Sequence, residues 1–377
     1  MSDPIYLDHN ATTPLLPEVV DGMLPFLREH FGNPSSSHVY GTRARDAVAV
    51  ARARVAALIG AEADEIVFTS GGTEANNLAI RGVLQGSERK RIVTTVIEHP
   101  ATLKPCQLLA DRDAVEVVRL GVDSDGRARL DEARTAIDET TALVTVMHSN
   151  NETGVLQPVS EVAALAVEHA ALVHCDAAQS VGKVPIDVGA LGVHLLSIAG
   201  HKLYAPKGVG ALYVKRGATL APLVVGAGHE RGLRPGTENV ASIVGLGIAC
   251  ERIGQDLQAE SERIRALRDE LWRELSSNVP GLALNGHAEL RLPNTLNVRF
   301  PRVSGEKLLA LAPEIAASTG SACHAGHEQA SAVILAMGVP SGEALGSVRL
   351  TLGRGTTRDQ VMRGSHTLTA AHRLALG

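Results

Sequence analysis

Six short apolar runs punctuate the chain: EIVFT (65–69), RIVTTVI (91–97), ALVTVMH (142–148), ALVHCDA (171–177), HLLSIAG (194–200) and VGALYVK (209–215). Each reads as a buried strand. Between many of them lie stretches of helical periodicity, among them TEANNLAIRGVL (73–84), LDEARTAI (130–137) and SEVAALAVEHA (160–170). Strand and helix alternating in this way predict an α/β fold, with a largely parallel sheet covered on both faces. The pattern changes near residue 250. Residues 251–279 are long, charged and helically periodic, and read as a connecting helix. After it come PNTLNVRF (293–300), a glycine-containing loop around 318–327 and SVRLTLG (347–353), the makings of a smaller α+β region.

Length supports this division. A chain of 377 residues is more than one hydrophobic core usually serves, so two domains are expected. Aromatic residues are only 2%, which leaves Ala, Val, Leu and Gly to build the core. The net charge of -5 comes without a long basic run, so broad attraction to nucleic acid or an anionic membrane is not expected. No apolar stretch is long enough to span a bilayer, and MSDPIYLDHNATTP has no signal-peptide pattern, so a cytoplasmic location is expected. The four cysteines, Cys106, Cys175, Cys250 and Cys323, are far apart, which argues against a disulfide framework or a zinc site.

Four segments carry candidate chemistry. In TSGGTEANNLAI (69–80) a strand ends, two glycines follow and a helix opens, so backbone N–H groups near Gly72 and Thr73 are placed to hold a phosphate. A simple turn with Thr73 as N-cap explains the same residues. In HCDAAQSVG (174–182), Asp176 ends an apolar strand, where open α/β sheets bind ligands. It suits a partner for a protonated ring nitrogen, or a helix cap. Lys202 follows the strand ending at Gly200; alone, it reads as a surface lysine. If the three converge, they supply what pyridoxal 5'-phosphate requires: a phosphate anchor, an acid for the ring nitrogen and an amine to hold the cofactor. In STGSACHAGHEQAS (318–331), Cys323 lies among small residues beside His324 and His327, a setting that favours thiolate. A metal site of one Cys and two His has no fourth ligand at sensible spacing. Cys175 lies inside an apolar strand and reads as an inert core thiol, as do Cys106 and Cys250 in helical patterns.

The motifs together resemble the NifS/IscS-type cysteine desulfurases, class V aminotransferases of the fold-type I pyridoxal-phosphate enzymes. The likeness runs nearly end to end, through YLDHNATTP (6–14), FGNPSSSH (31–38), the TSGGTE loop, IEHPA (97–101), NNETGV (150–155) and DAAQSVGK (176–183). It continues through GHKLYAPKGVGALY (200–213), GHERGLRPGTENV (228–240), LPNTLN (292–297), TGSAC (319–323) and VRLTLGR (348–354). The resemblance implies a large domain over 15–258 with a mostly parallel seven-stranded sheet. It also implies a small domain from 1–14 and 259–377 that carries the Cys323 loop, about 318–331. Lys202 would bind the cofactor covalently, and His99 would stack on its ring and help move protons. Asp176 would pair with the ring nitrogen, Gln179 would bond the phenolic oxygen, and Asn151 would lie beside that oxygen and the substrate carboxylate. Gly72, Thr73 and His201 would hold the phosphate, joined by Thr237 from the neighbouring subunit of a homodimer. Arg349 would clamp the carboxylate of L-cysteine, and Cys323 would receive the sulfur as a persulfide for an acceptor protein. One position departs from the family: three residues before the lysine, where serine is common, stands Ala199, so one phosphate hydrogen bond would be missing.

The resemblance also bounds the alternatives. RPGTENV, RLPNT and the Cys-His loop are similar to selenocysteine lyases, which use the same residues. A class V aminotransferase without sulfur chemistry would have no use for Cys323. A scaffold that only binds sulfur acceptors would not need lysine, aspartate, histidine and cysteine together. Iron–sulfur assembly, tRNA thiolation and DNA phosphorothioation are the destinations of sulfur in such a family.

Overall fold

The computed structural model describes residues 4–320 and 329–377. Twelve strands occur there in chain order: β1 (Ile5–Tyr6), β2 (Ile66–Thr69), β3 (Arg91–Thr95), β4 (Glu116–Leu120), β5 (Thr141–Met147), β6 (Leu172–Asp176), β7 (Leu195–Ala199), β8 (Gly210–Val214), β9 (Ala283–Leu284), β10 (Thr295–Arg299), β11 (Ile315–Ala316) and β12 (Ser347–Thr351). The six apolar runs all become strands of one seven-stranded sheet, ordered β2-β8-β7-β6-β5-β3-β4. Only β8 runs against the rest. The sheet is the mostly parallel one of a fold-type I α/β enzyme.

Burial on both faces explains why these strands read as unbroken apolar runs. Every residue of β5 is buried. Successive side chains enter different cores: Val93, Val144, Val173 and Leu196 pack with the helices Val39–Leu58 and Val159–Glu168. Ile92, Leu143, Leu195 and Leu212 pack instead with Gly72–Gln85 and Pro100–Asp113. The seventh strand, β4, was not among the apolar runs. It pairs only with β3, at the sheet edge, and Glu116 and Arg119 are exposed. An edge strand facing water carries charge and so loses the apolar signature.

The long helix spans Val240–Asn278, starting well before the periodic stretch. Its opening residues VASIVGLGIAC are buried nearly all round, so no polar face marks them in sequence. The helix bends at Asp256, whose φ is -135°. Before the bend Ile253 belongs to the large core, and after it Ile264, Leu267, Leu271 and Leu275 belong to another. That second core also takes Ile5, Leu7, the antiparallel strands β9, β10 and β12, and the helix Arg358–Leu376. The short helix Ala332–Ala336 packs back on the large sheet's side, its Val333 and Ile334 against Ile97, Val122 and Met147. No helix among the described residues is long and apolar enough to cross a membrane.

Candidate active site

The carboxyl ends of β5, β6 and β7 open on a cavity of about 340 Å³, closed from the other side by the start of the helix Gly72–Gln85 and by Arg349 of β12. Open parallel sheets place their ligands at this edge. Strand register does the positioning: Asp176, last in β6, lies beside Met147 of β5 and Ser197 of β7. Lys202 follows β7 in a single short turn, Gly200–Lys202.

Asp176 is buried and doubly engaged. Its Oδ1 accepts from the Ala178 N–H at 3.0 Å within a turn; no helix starts there, so Asp176 is not the helix cap offered as its alternative role. Its Oδ2 accepts from Asn76 Nδ2 at 2.7 Å, while that amide also donates to Thr102 Oγ1 at 3.2 Å. Each oxygen thus has its own donor. Asn76 escaped notice in the sequence, where it reads as one more polar residue of an amphipathic helix.

Thr73 is not an N-cap. The cap is Gly71, at φ 149°, and no side chain satisfies the first turn of this helix. Its N–H groups therefore remain open to an anion. A Cβ on Gly72 would stand 3.3 Å from the Ala199 methyl and 3.8 Å from that of Ala178, so small residues keep the approach clear.

His99 caps the helix Pro100–Asp113, its Nδ1 accepting from the Ala101 N–H at 3.1 Å. Nδ1 is thus an acceptor, and the proton of the neutral ring sits on Nε2. Burial holds its pKa below the usual range; Lys202 lowers it further and Asp176 opposes. Burial likewise depresses the Lys202 ammonium, with Asp176 opposing and Arg349 assisting. His201, near Thr12 Oγ1 at 3.3 Å, is pushed down to about 4 by burial and by Lys202, Lys207 and Lys183.

Arg349 donates from Nη1 to the Asn151 carbonyl at 3.0 Å and from Nη2 to Asp8 Oδ1 at 2.7 Å. Its buried Nε has no partner among the described residues. Gln179 donates from Nε2 to the Asn10 carbonyl at 3.0 Å. Thr237 is the one named residue of the described chain kept away from the cavity. It lines a separate groove with Arg45, His229 and Glu230. Cys323, His324 and His327 lie outside the described residues. The other three thiols are buried, and burial pushes Cys106 and Cys250 up to about 12 and Cys175 well above its ordinary range.

Glu98, next to His99, was also missed. Its Oε1 accepts from Thr95 Oγ1 at 2.7 Å and from the Met147 N–H at 3.0 Å, while Oε2 has no partner among the described residues. Burial pushes the carboxyl up to about 8, against those two hydrogen bonds and with Asp176 adding to the rise. Folded, it keeps a proton that the unfolded chain releases near 4.5, so its contribution to stability falls as pH rises through that window. Denaturant unfolding is expected to lose about 2 kcal/mol between about pH 6.5 and 8 from this group. Glu98→Gln, with no proton to release, is expected to lack that loss. Identical pH dependence in both proteins would show that Glu98 is already ionised.

Comparison with known proteins places these features in a family. The family model Aminotransferase class-V matches residues 5–363. The cysteine desulfurase NifS of Azotobacter vinelandii is 47% identical over 363 residues, 95% of this chain and 90% of that protein. The cysteine desulfurase IscS of Dictyoglomus turgidum is 44% identical over 378 residues, 99% of this chain and 95% of that one. A solved NifS-like protein superposes with a TM-score of 0.91 at 35% identity, covering 98% of this chain and 99% of the other. Pyridoxal 5'-phosphate is the family's cofactor, and the cavity fits it. The uncapped helix start suits its phosphate, the Asp176 carboxylate its ring nitrogen, and the depressed Lys202 amine, with no hydrogen bond among the described residues, its aldehyde. From its sheet, its cavity and a match over nearly its whole length, the chain belongs to the class V aminotransferase family.

Proposed function

We propose that the chain is a pyridoxal-phosphate-dependent cysteine desulfurase, which converts L-cysteine to L-alanine and passes the sulfur through Cys323 to an acceptor protein. The observation that carries this reading is the convergence of Lys202, Asp176 and His99 on one cavity, in a chain whose relatives are named for that activity. When bound, the cofactor supplies an electron sink for charge developing at the substrate Cα. The Lys202 amine, held below its usual pKa, accepts the Cα proton. Asp176 keeps the ring nitrogen protonated, held in place by Asn76. The second N–H of the Gln179 amide would donate to the phenolic oxygen, and Gly72, Thr73 and His201 would hold the phosphate. Asn151 and the unpaired Nε of Arg349 receive the substrate carboxylate.

Sulfur transfer then falls to the thiolate of Cys323, which attacks the substrate sulfur. An S–S bond forms and the C–S bond breaks; its electron pair stays with the carbon skeleton, which gains a proton to become alanine. Thr237, remote from its own cavity, completes the phosphate contacts of a second subunit in a homodimer. Incubation of the purified protein with pyridoxal phosphate, L-cysteine and a reductant tests the assignment. Alanine and sulfide in equal amounts are expected. Turnover of L-selenocysteine alone, or pyruvate in place of alanine, would reject it.

A further inference from the structure

Behind the cavity stands a second lysine that the scheme above does not use. Lys183 donates to Gln179 Oε1 at 2.9 Å and to Asn10 Oδ1 at 3.0 Å. Both acceptors belong to buried amides that line the cavity. The glycine before it, Gly182, has φ 80°, and a Cβ there would meet Leu203 and Ile253 at 3.3 Å. That turn brings the lysine back under the residue four positions earlier.

A carboxamide has two ends of almost the same shape, and its hydrogen-bond partners decide which way it faces. Lys183 Nζ donates to the Gln179 oxygen and the Asn10 carbonyl accepts from Nε2, so Oε1 faces Lys183 and Nε2 faces Asn10. Asn10 is fixed by the same means. Its oxygen accepts from Lys183 and from Asn294 Nδ2 at 3.0 Å, and its amide donates to Thr295 Oγ1 at 2.9 Å and to the Asn151 carbonyl at 3.3 Å. We infer that Lys183 is a positioning residue: it sets the Gln179 carboxamide with its N–H toward the cofactor's phenolic oxygen, and it locks the Asn10 segment to that amide.

The surroundings of Lys183 support a role beyond packing. It forms no ion pair with a carboxylate among the described residues. Lys202, Arg349, His9 and His201 act on it or feel it, and Glu260 and Arg354 line the same small cavity. Burial and the first two hold its amine well below the ordinary lysine range. A desolvated amine with no carboxylate partner is a poor stabiliser of a fold. It does supply two well-aimed donors beside the cavity.

This inference rests on the cavity being the pyridoxal-phosphate site, and the test separates the two. Wild type, K183M, Q179A and the double variant would be titrated as apo-proteins with pyridoxal phosphate. The pH midpoint of the bound cofactor's visible absorption would then be read for each. K183M is expected to weaken cofactor binding about tenfold, the scale of one lost buried hydrogen bond. The midpoint is expected to rise by about one unit, since nothing then aims the Gln179 N–H at the phenolic oxygen. In the Q179A background K183M should add little to either, because the effect runs through Gln179. K183R, which keeps a cationic donor, should restore part of the midpoint. Unchanged affinity and midpoint in K183M, or an undiminished effect in the Q179A background, would overturn the inference. If K183M fails to fold, K183Q carries the same comparison. Absence of any visible band in wild type would instead overturn the cofactor reading.

Discussion

Lys202→Ala is expected to remove both covalent attachment of the cofactor and turnover. Lys202 is the amine that pairs a reach into the cavity with a depressed pKa, and it makes no hydrogen bond among the described residues that would hold it back. Burial lowers the pKa because the charged form loses its hydration; Asp176 limits the fall and Arg349 deepens it. The neutral fraction of this amine is thereby raised at neutral pH, which is what both attack on an aldehyde and acceptance of a Cα proton demand. Loss of a group serving both steps is expected to slow alanine formation on the order of 10³-fold or more. Borohydride reduction followed by peptide mass analysis should place the cofactor on Lys202 in the wild type and on no lysine in the variant. Labelling of Lys183 in the variant, with turnover retained, would reject the assignment.

Cys323→Ser is expected to separate the two halves of the reaction. The residues proposed to hold the cofactor do not include Cys323, so visible absorption and cofactor affinity should stay at wild-type values. Sulfur transfer should fall on the order of 10³-fold, because a hydroxyl neither ionises at neutral pH nor attacks sulfur effectively. The remaining thiols offer no substitute. Cys106, Cys175 and Cys250 are buried, and burial keeps each protonated far above neutral pH. Radiolabelled sulfur from cysteine should stay bound to the wild type after denaturation and be absent from the variant. Wild-type labelling of the variant on any other cysteine would move the sulfur acceptor elsewhere.

Much of the fold was legible because parallel strands buried on both faces leave unbroken apolar runs. β3, β5, β6 and β7 announce themselves in this way, and the antiparallel β8, buried on both faces too, does the same. The edge strand β4 and the first turns of the long helix did not, for opposite reasons. One carries charge where it meets water; the other is apolar on every side. The site divides along a similar line. Lys202, Asp176, Gly72 and Thr73 each sit directly after or at the end of a strand, so their placement at the sheet edge follows from local pattern. The alternative of Thr73 as N-cap failed because Gly71 opens the helix instead.

The chain alone determined the alternation of strand and helix, the positions that end each strand, and the family motifs that tie Lys202 to Cys323. Tertiary structure decided the partners. Asn76 reaches Asp176 across 100 residues of chain, Arg349 reaches Asp8 across 341, and Lys183 meets Asn10 across 173. A buried polar atom must find a donor or acceptor wherever the fold brings one. Which segment brings it depends on how strands register and how helices pack, and no local pattern of apolar and polar residues records that.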